Sequence, residues 1–107
     1  MQEHDMFFTN PVFHPGLNIT VRNGDKWKKA EIGDTLLLKK RGTDHVIASA
    51  TVMGHAFIPF PLIPKEWLLY EHDPACRNLG GLFAAMSRVY PGFSMLNRIT
   101  VIIFTVQ

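Results

Sequence analysis

The sequence predicts an α+β fold that is mainly β: a small closed or half-closed mixed barrel with one or two short helices inserted before the last strand. Segments with alternating apolar and polar residues, typical of strands, occupy the first half of the chain. Brief turns join the first of these segments, which favours antiparallel pairing there. Helically spaced apolar residues then precede a final apolar run, so the helices lie between the early strands and the last one.

The first clear strand is LNITVR, residues 17–22. Alternate side chains of a strand point to opposite faces, so Leu17, Ile19 and Val21 are predicted to face a core. The other face then carries an amide, a hydroxyl and a guanidinium in one row, from Asn18, Thr20 and Arg22. An Asn-Gly-Asp turn follows, and Gly33-Asp34 forms a second turn in which the aspartate is expected to accept hydrogen bonds from backbone amides.

Further strands are predicted at TLLLKK and HVIASATVM, and a central strand at ITVIIFTV near the end of the sequence. The stretch HAFIPFPLIP contains three prolines, which indicates an extended edge or a covering loop that packs Phe57, Phe60, Leu62 and Ile63 inward. Short helices are predicted from Pro64 to Tyr70 and between Leu79 and Tyr90. Glycine disfavours a helix interior, so the second helix is expected to begin after Gly81.

Composition indicates one globular domain, because the 107 residues are 47% apolar and 19% charged. The single cysteine excludes an internal disulfide, and the histidines show no metal-ligand spacing, so neither a metal nor a cofactor is expected. The net charge of +2 is too small for wrapping a long duplex. Without a signal-like start or a membrane-length apolar run, we expect a cytoplasmic protein with no membrane contact.

The run GLNITVRNGDKWKKAEIGDTLLL resembles the opening of ASCH domains, members of the PUA-like superfamily. Their signature is roughly Gly-x-Lys-Thr-x-Thr-x-Arg, a variable turn and then Gly-Asp. Matches fall at Thr20, Arg22, Gly33 and Asp34, and Asn18 stands where the first threonine usually lies. The turn VYPG before the last strand resembles the end of small bacterial ASCH proteins that hydrolyse N4-acetylcytidine. The resemblance covers residues 16–107, which leaves 1–15 as an N-terminal extension expected to pack on the barrel.

This resemblance implies a cleft beside the first motif strand that takes RNA, nucleosides or modified bases. In the amidohydrolase members, a lysine and a threonine of that strand and a glutamate from the helical insert are the proposed catalytic set. Thr20 matches the threonine, and Glu71 or Asp73 occupies the region of the glutamate. The lysine position falls on Leu17, which cannot accept the proton that a threonine nucleophile must lose.

Three functions are consistent with these residues. The first is non-catalytic binding of RNA, a nucleotide or a modified nucleoside by a site that comprises Asn18, Thr20, Arg22, Lys26, Trp27 and Lys28. Here the planar guanidinium of Arg22 fixes a phosphate or carbonyl, and Trp27 either stacks on a base or folds onto the barrel as a lid.

The second function is an amidohydrolase of N4-acylated cytidine, with Thr20 as nucleophile and Glu71 or Asp73 as proton carrier. It requires that Lys26, Lys28 or Lys29 reach back to replace the missing base. The third is an interaction protein of a phage or mobile element, whose stretch HAFIPFPLIP meets a protein partner or a second copy of the chain.

Overall fold

The computed structural model describes residues 1–107, and five strands form one sheet. The strands are β1 (Glu3–Phe8), β2 (Gly16–Asn23), β3 (Thr35–Lys40), β4 (Val46–Pro59) and β5 (Arg98–Val106). Their order across the sheet is β1-β3-β4-β5-β2. The pairing of β1 with β3 is parallel and the other three pairings are antiparallel. The predicted mainly β fold is therefore confirmed, as is the central position of the last strand.

Residues 1–15, predicted to be an extension, contribute the edge strand β1. Asp34 holds this strand in place through the turn that precedes β3. Its carboxylate accepts hydrogen bonds from the backbone amides of Gln2 and Glu31 at 3.1 and 3.0 Å, and Oδ2 lies 2.8 Å from Nε2 of His4. Asp34 thus joins the chain start to the Gly33 turn, which extends its predicted role in satisfying backbone amides.

The proline-rich stretch differs in part from its prediction. Residues up to Pro59 continue β4 and pair with β5 on one side. On the other side, β3 pairs only with the first half of β4, so the second half of β4 has a free edge. Pro59 closes the strand, where its missing amide costs no ladder hydrogen bond. Phe60 and Ile63 are buried as predicted, whereas Leu62 is 65% exposed.

Two helices precede β5: α1 (Lys65–Leu68) and α2 (Leu79–Val89). Short 3-10 turns lie at Lys26–Lys29, Phe60–Leu62 and Pro74–Cys76. Helix α2 begins earlier than predicted and includes both glycines, since the Asn78 side chain caps it by accepting the amide of Gly81 at 2.8 Å. None of the helices is both long and apolar enough to cross a membrane.

Apolar side chains form two core clusters, one on each face of the sheet. The first cluster packs α1, α2 and the neighbouring turns against β2, β4 and β5, and includes Ile19, Val21, Phe60, Leu82, Met86, Ile99 and Val101. The second includes Met6, Phe8, Trp27, Leu36, Leu38, Val52, Ile102 and Phe104. Leu17, predicted to face the core, is 38% exposed, because the first cluster begins on β2 only at Ile19.

Candidate functional site

A cavity of about 1110 Å³ lies between the two edge strands of the sheet. Strands β1 and β2 are at opposite ends of the strand order and do not pair with each other. Side chains of both strands line the cavity, together with residues of α2 and of the segment 71–76. The half-closed barrel therefore has a ligand-sized opening at the point where the sheet fails to close.

The polar row of β2 lies on the face of the second core cluster. Asn18, Thr20 and Arg22 pair with Phe104, Ile102 and Thr100 of β5, and directly opposed residues of an antiparallel pair share a face. Thr20 and Arg22 line the cavity, whereas Asn18 does not.

The amide of Asn18 is fully buried and bound to the backbone. Its Nδ2 donates to the carbonyl oxygens of His14 and Gly16 at 2.8 and 3.1 Å, and its Oδ1 accepts from the amide of His14 at 3.3 Å. Asn18 therefore orders the turn before β2 and has no free group for a ligand.

The 3-10 turn Lys26–Lys29, which follows β2, contributes some but not all of its side chains to the cavity. Lys26, Trp27 and Lys29 line it, and Lys28 does not. The Nζ of Lys28 lies 5.0 Å from the centroid of the Phe57 ring. Trp27 is buried in the second core cluster, with its ring edge-on to His4 at 6.1 Å, so the structure favours the lid over an exposed stacking platform.

Glu71 reaches the cavity because its segment adds to the free edge of β2. The amide of Ile19 donates to the carbonyl of Tyr70 at 2.8 Å, and the amide of His72 donates to the carbonyl of Ile19 at 3.0 Å. This short parallel bridge places Glu71 beside the strand that carries Thr20. The two residues proposed from the family motif thus line the same cavity.

Glu71 and His72 share one proton. The carbonyl of Val12 lies 2.9 Å from Nδ1 of His72, and a carbonyl oxygen only accepts, so Nδ1 carries a hydrogen. Nε2 of His72 lies 3.1 Å from Oε1 of Glu71, which also accepts the amide of Asp73 at 3.2 Å. The contact between Nε2 and Oε1 then requires a proton on one of these two atoms.

Burial decides where that proton resides. Desolvation raises the pKa of Glu71 to about 8 and lowers the pKa of His72 to about 4. At neutral pH the pair is consequently a carboxylic acid that donates to a neutral imidazole. The rings of Phe8 and Phe13, with centroids 4.8 and 5.4 Å from that of His72, keep the imidazole in place.

The second carboxyl oxygen of Glu71 is left without a partner. Glu71 is 2% exposed. Among the buried side-chain nitrogen and oxygen atoms of the protein, its Oε2 is the one that has no hydrogen-bond partner. With the proton on Oε1, Oε2 is a carbonyl-type acceptor. A buried acceptor of this kind is costly unless a ligand supplies the donor.

Two further residues of the segment complete this wall. Asp73 lines the cavity, and its Oδ1 accepts the amide of Ala75 at 3.0 Å, which caps the 3-10 turn. Cys76 also lines the cavity, but burial raises the pKa of its thiol to about 12. The thiol is therefore protonated at neutral pH and is no nucleophile.

The cavity is also lined by residues that the sequence analysis did not assign to the site, among them Arg41, His72 and Tyr90. Arg41 directly follows β3, and the parallel pairing of β3 with β1 brings it to the cavity. His72 lies between two candidate carboxylates, which was its only sequence signal. No group of three or more His, Cys, Asp or Glu side chains is arranged to hold a metal ion.

Comparison with known proteins gives a single line of support, and it concerns the fold. The chain superposes on the high-resolution crystal structure of an ASCH domain from Lactobacillus crispatus JV V101 with a TM-score of 0.64 and 6% sequence identity. The match covers 83% of this chain and 63% of that chain, so this chain spans less than two thirds of its neighbour's length. No protein-family model and no curated protein matches the sequence. The protein therefore has an ASCH fold, as its strand motif indicated.

Proposed function

We propose that the protein is a non-catalytic binding module that takes RNA, a nucleotide or a modified nucleoside in the cavity between β1 and β2. The observation that carries this proposal is a cavity of about 1110 Å³ lined by Thr20, Arg22 and Glu71, where the Oε2 atom of Glu71 is buried without a hydrogen-bond partner. Oε2 accepts an N–H of a base edge, the Thr20 hydroxyl donates or accepts beside it, and Arg22 binds an oxygen. A cytoplasmic location, where such ligands occur, is part of the proposal.

The protonation states of Glu71 and His72 support binding rather than hydrolysis. A threonine nucleophile needs a base within hydrogen-bond reach. Glu71 holds its proton at neutral pH, and both nitrogens of His72 are engaged, one by Val12 and the other by Glu71. Leu17, at the motif lysine position, supplies no proton acceptor.

Calorimetric titration at low salt tests the proposal, with short single-stranded RNA, nucleotides and nucleosides as ligands. Arg22→Ala is expected to weaken binding about 10- to 100-fold, as expected for a lost charge-assisted hydrogen bond. Lys28→Ala removes a cation of the 3-10 turn after β2 that does not line the cavity, and it should leave the affinity unchanged. Absence of binding by every ligand, or equal losses in the two variants, contradicts the proposal.

An amidohydrolase is the second candidate, favoured by the presence of Thr20 and Glu71 in one cavity with the amines of Lys26 and Lys29. The enzyme would release cytidine from N4-acetylcytidine, and chromatography of the incubated mixture detects it. Thr20→Val, which keeps the shape of the side chain and removes the hydroxyl, is the control. Equal release by the wild type and this variant eliminates the candidate.

The interaction-protein alternative receives less support from the fold. Phe60 and Ile63 of the proline-rich stretch are buried in the first core cluster, and Leu62 is its one large apolar side chain left exposed. A single leucine is an ordinary surface feature rather than a docking patch.

A further inference from the structure

Arg22 is a partly buried cation without an anionic partner. The protein has four ion pairs, two formed by Lys39 and one each by His4 and His72, and none includes Arg22. Its guanidinium instead lies over the Phe8 ring, 4.6 Å from the centroid. Burial lowers the pKa of Arg22 from its usual value, because the charged form loses solvation. Arginine nevertheless stays protonated, so the cavity wall carries a positive charge that is not part of an ion pair.

A second arginine lines the same cavity from the side of β1 and β3. Arg41 lines the cavity, and its backbone amide donates to the carbonyl of Phe8 at 2.9 Å. Phe8 thus anchors both arginines: its ring supports Arg22 and its carbonyl fixes the backbone of Arg41. The charge of Arg41 acts on Arg22 and contributes to lowering its pKa.

The acidic residues of the cavity do not neutralise this pair. Glu71 is a neutral acid at pH 7, as described above. The Asp5 carboxylate is paired with Nζ of Lys39 at 3.2 Å, and Asp73 caps its 3-10 turn. Lys26, Lys29 and Arg88 add further positive charge to the lining.

We propose that Arg22 and Arg41 form a phosphate-binding subsite of this cavity, so that the ligand is a phosphorylated nucleotide or an RNA phosphate rather than a free nucleoside. This inference rests on the proposed binding function and adds the ligand class. Two guanidinium planes supply several N–H donors that match phosphate oxygens. A bound phosphate also relieves the repulsion between the two cations, which a neutral nucleoside cannot do.

The test is a matched calorimetric series with cytidine, cytidine 5′-monophosphate, inorganic phosphate and a cytidine trinucleotide. Arg41 is exposed, so Arg41→Gln is expected to fold, and Lys40→Gln, one residue earlier and outside the cavity, is its control. The wild type should bind the monophosphate at least about tenfold more tightly than cytidine. Arg41→Gln should remove that gain and leave cytidine binding unchanged, and Lys40→Gln should change neither.

The ligand arms separate the two sources of phosphate. Tighter binding of the trinucleotide than of the monophosphate assigns the subsite to RNA, and the reverse order assigns it to a free nucleotide. Equal affinities for cytidine and its monophosphate in the wild type overturn the subsite and leave the binding function standing. Absence of binding by all four ligands overturns both.

Discussion

At the scale of single residues, the Glu71–His72 pair determines the chemistry of the cavity. A carboxylic acid paired with a neutral imidazole leaves one unpartnered hydrogen-bond acceptor on a residue that lines the cavity, and it offers no general base. The raised pKa of Glu71 and the lowered pKa of His72 have the same cause, the burial that keeps both groups uncharged.

The first prediction follows from these two pKa values. Between pH 4.5 and about 8 the folded state keeps the Glu71 proton that the unfolded chain releases, so stability falls as the pH rises. His72 acts oppositely between about pH 4 and 6.5, where the unfolded chain binds the extra proton. The two effects cancel from pH 4.5 to 6.5. The free energy of unfolding should then fall by about 1 kcal/mol between pH 6.5 and 8, because Glu71 is half titrated at pH 8 and the unfolded His72 still binds some proton at pH 6.5.

Urea denaturation of the wild type and Glu71→Gln at pH 6.5 and pH 8 measures this effect. Glutamine does not titrate and can donate to His72 as the acid does, so the variant should lose the decrease. Glu66→Gln, an exposed substitution on α1, should retain it. A wild-type stability that is constant over this interval contradicts the assignment of the proton to Glu71.

The second prediction separates Asn18 from its neighbours on β2. Asn18→Ala removes three hydrogen bonds from a buried side chain to the backbone of His14 and Gly16, and should lower the free energy of unfolding by about 2 to 3 kcal/mol. Because its amide does not line the cavity, affinity for ligands measured on the folded variant should be unchanged. A stable variant with weakened binding would return Asn18 to the binding site.

The residues of the polar row show how far sequence reasoning extends. Alternation and the Thr-x-Arg motif were sufficient to place Thr20 and Arg22 on one face, and the structure brings both to the cavity. The same alternation placed Asn18 with them, but the hydrogen bonds to His14 and Gly16 depend on the path of the preceding turn. Local periodicity contains no information about that path.

At the scale of secondary structure, the cavity exists because the two edge strands, β1 and β2, do not pair with each other. The edge of β2 is extended by the short bridge to Glu71, whereas β1 pairs on one side only, with β3. Residues from both edges can then line one space without a strand between them. The parallel β1–β3 pairing joins segments far apart in sequence, which explains why Arg41 was not predicted.

The third prediction concerns the contact between α2 and the 3-10 turn that follows Asp73. A Cβ at Gly81 would lie 2.1 Å from the carbonyl oxygen of Ala75, which is backbone and cannot move alone. Gly81→Ala should lower the free energy of unfolding by about 1 to 3 kcal/mol, as overpacking does, and displace the turn. Thermal denaturation measures the loss.

Gly80 supplies the matched control, because a Cβ there would meet Asn78 Oδ1 at an ordinary 3.5 Å. Gly80→Ala should be neutral or stabilising by up to about 1 kcal/mol, the difference in helix propensity. Equal stability of the two variants would contradict the close approach. The same contact explains why propensity alone placed the start of α2 too late: Gly81 is required by packing rather than excluded from the helix.

At the scale of the whole molecule, the distribution of the charges is more informative than the net charge. A net charge of +2 excludes little, but five of the cations line one cavity: Arg22, Lys26, Lys29, Arg41 and Arg88. Basic residues are grouped in the sequence in two clusters, Arg22 with Lys26, Lys28 and Lys29, and Lys39 with Lys40 and Arg41, which either attract an anion or only hydrate turns. Only the folded sheet brings members of both clusters to the same cavity.

The fourth prediction is a shallow salt dependence of RNA binding. If the two arginines of the subsite make the phosphate contacts, the logarithm of the association constant should fall with the logarithm of salt concentration with a slope of about −1 to −2. Fluorescence anisotropy of a labelled oligomer over a salt series measures it. A slope steeper than about −4 would indicate a broad basic surface instead.

The ligand is proposed to occupy the space between β1 and β2. An amide chemical-shift titration with cytidine 5′-monophosphate locates the ligand residue by residue. The perturbed amides are expected to cluster at Thr20, Arg22, Arg41 and Glu71–Asp73. Perturbations confined to the exposed residues Val46, Ile47 and Met53 of β4, or none at saturating ligand, would contradict it.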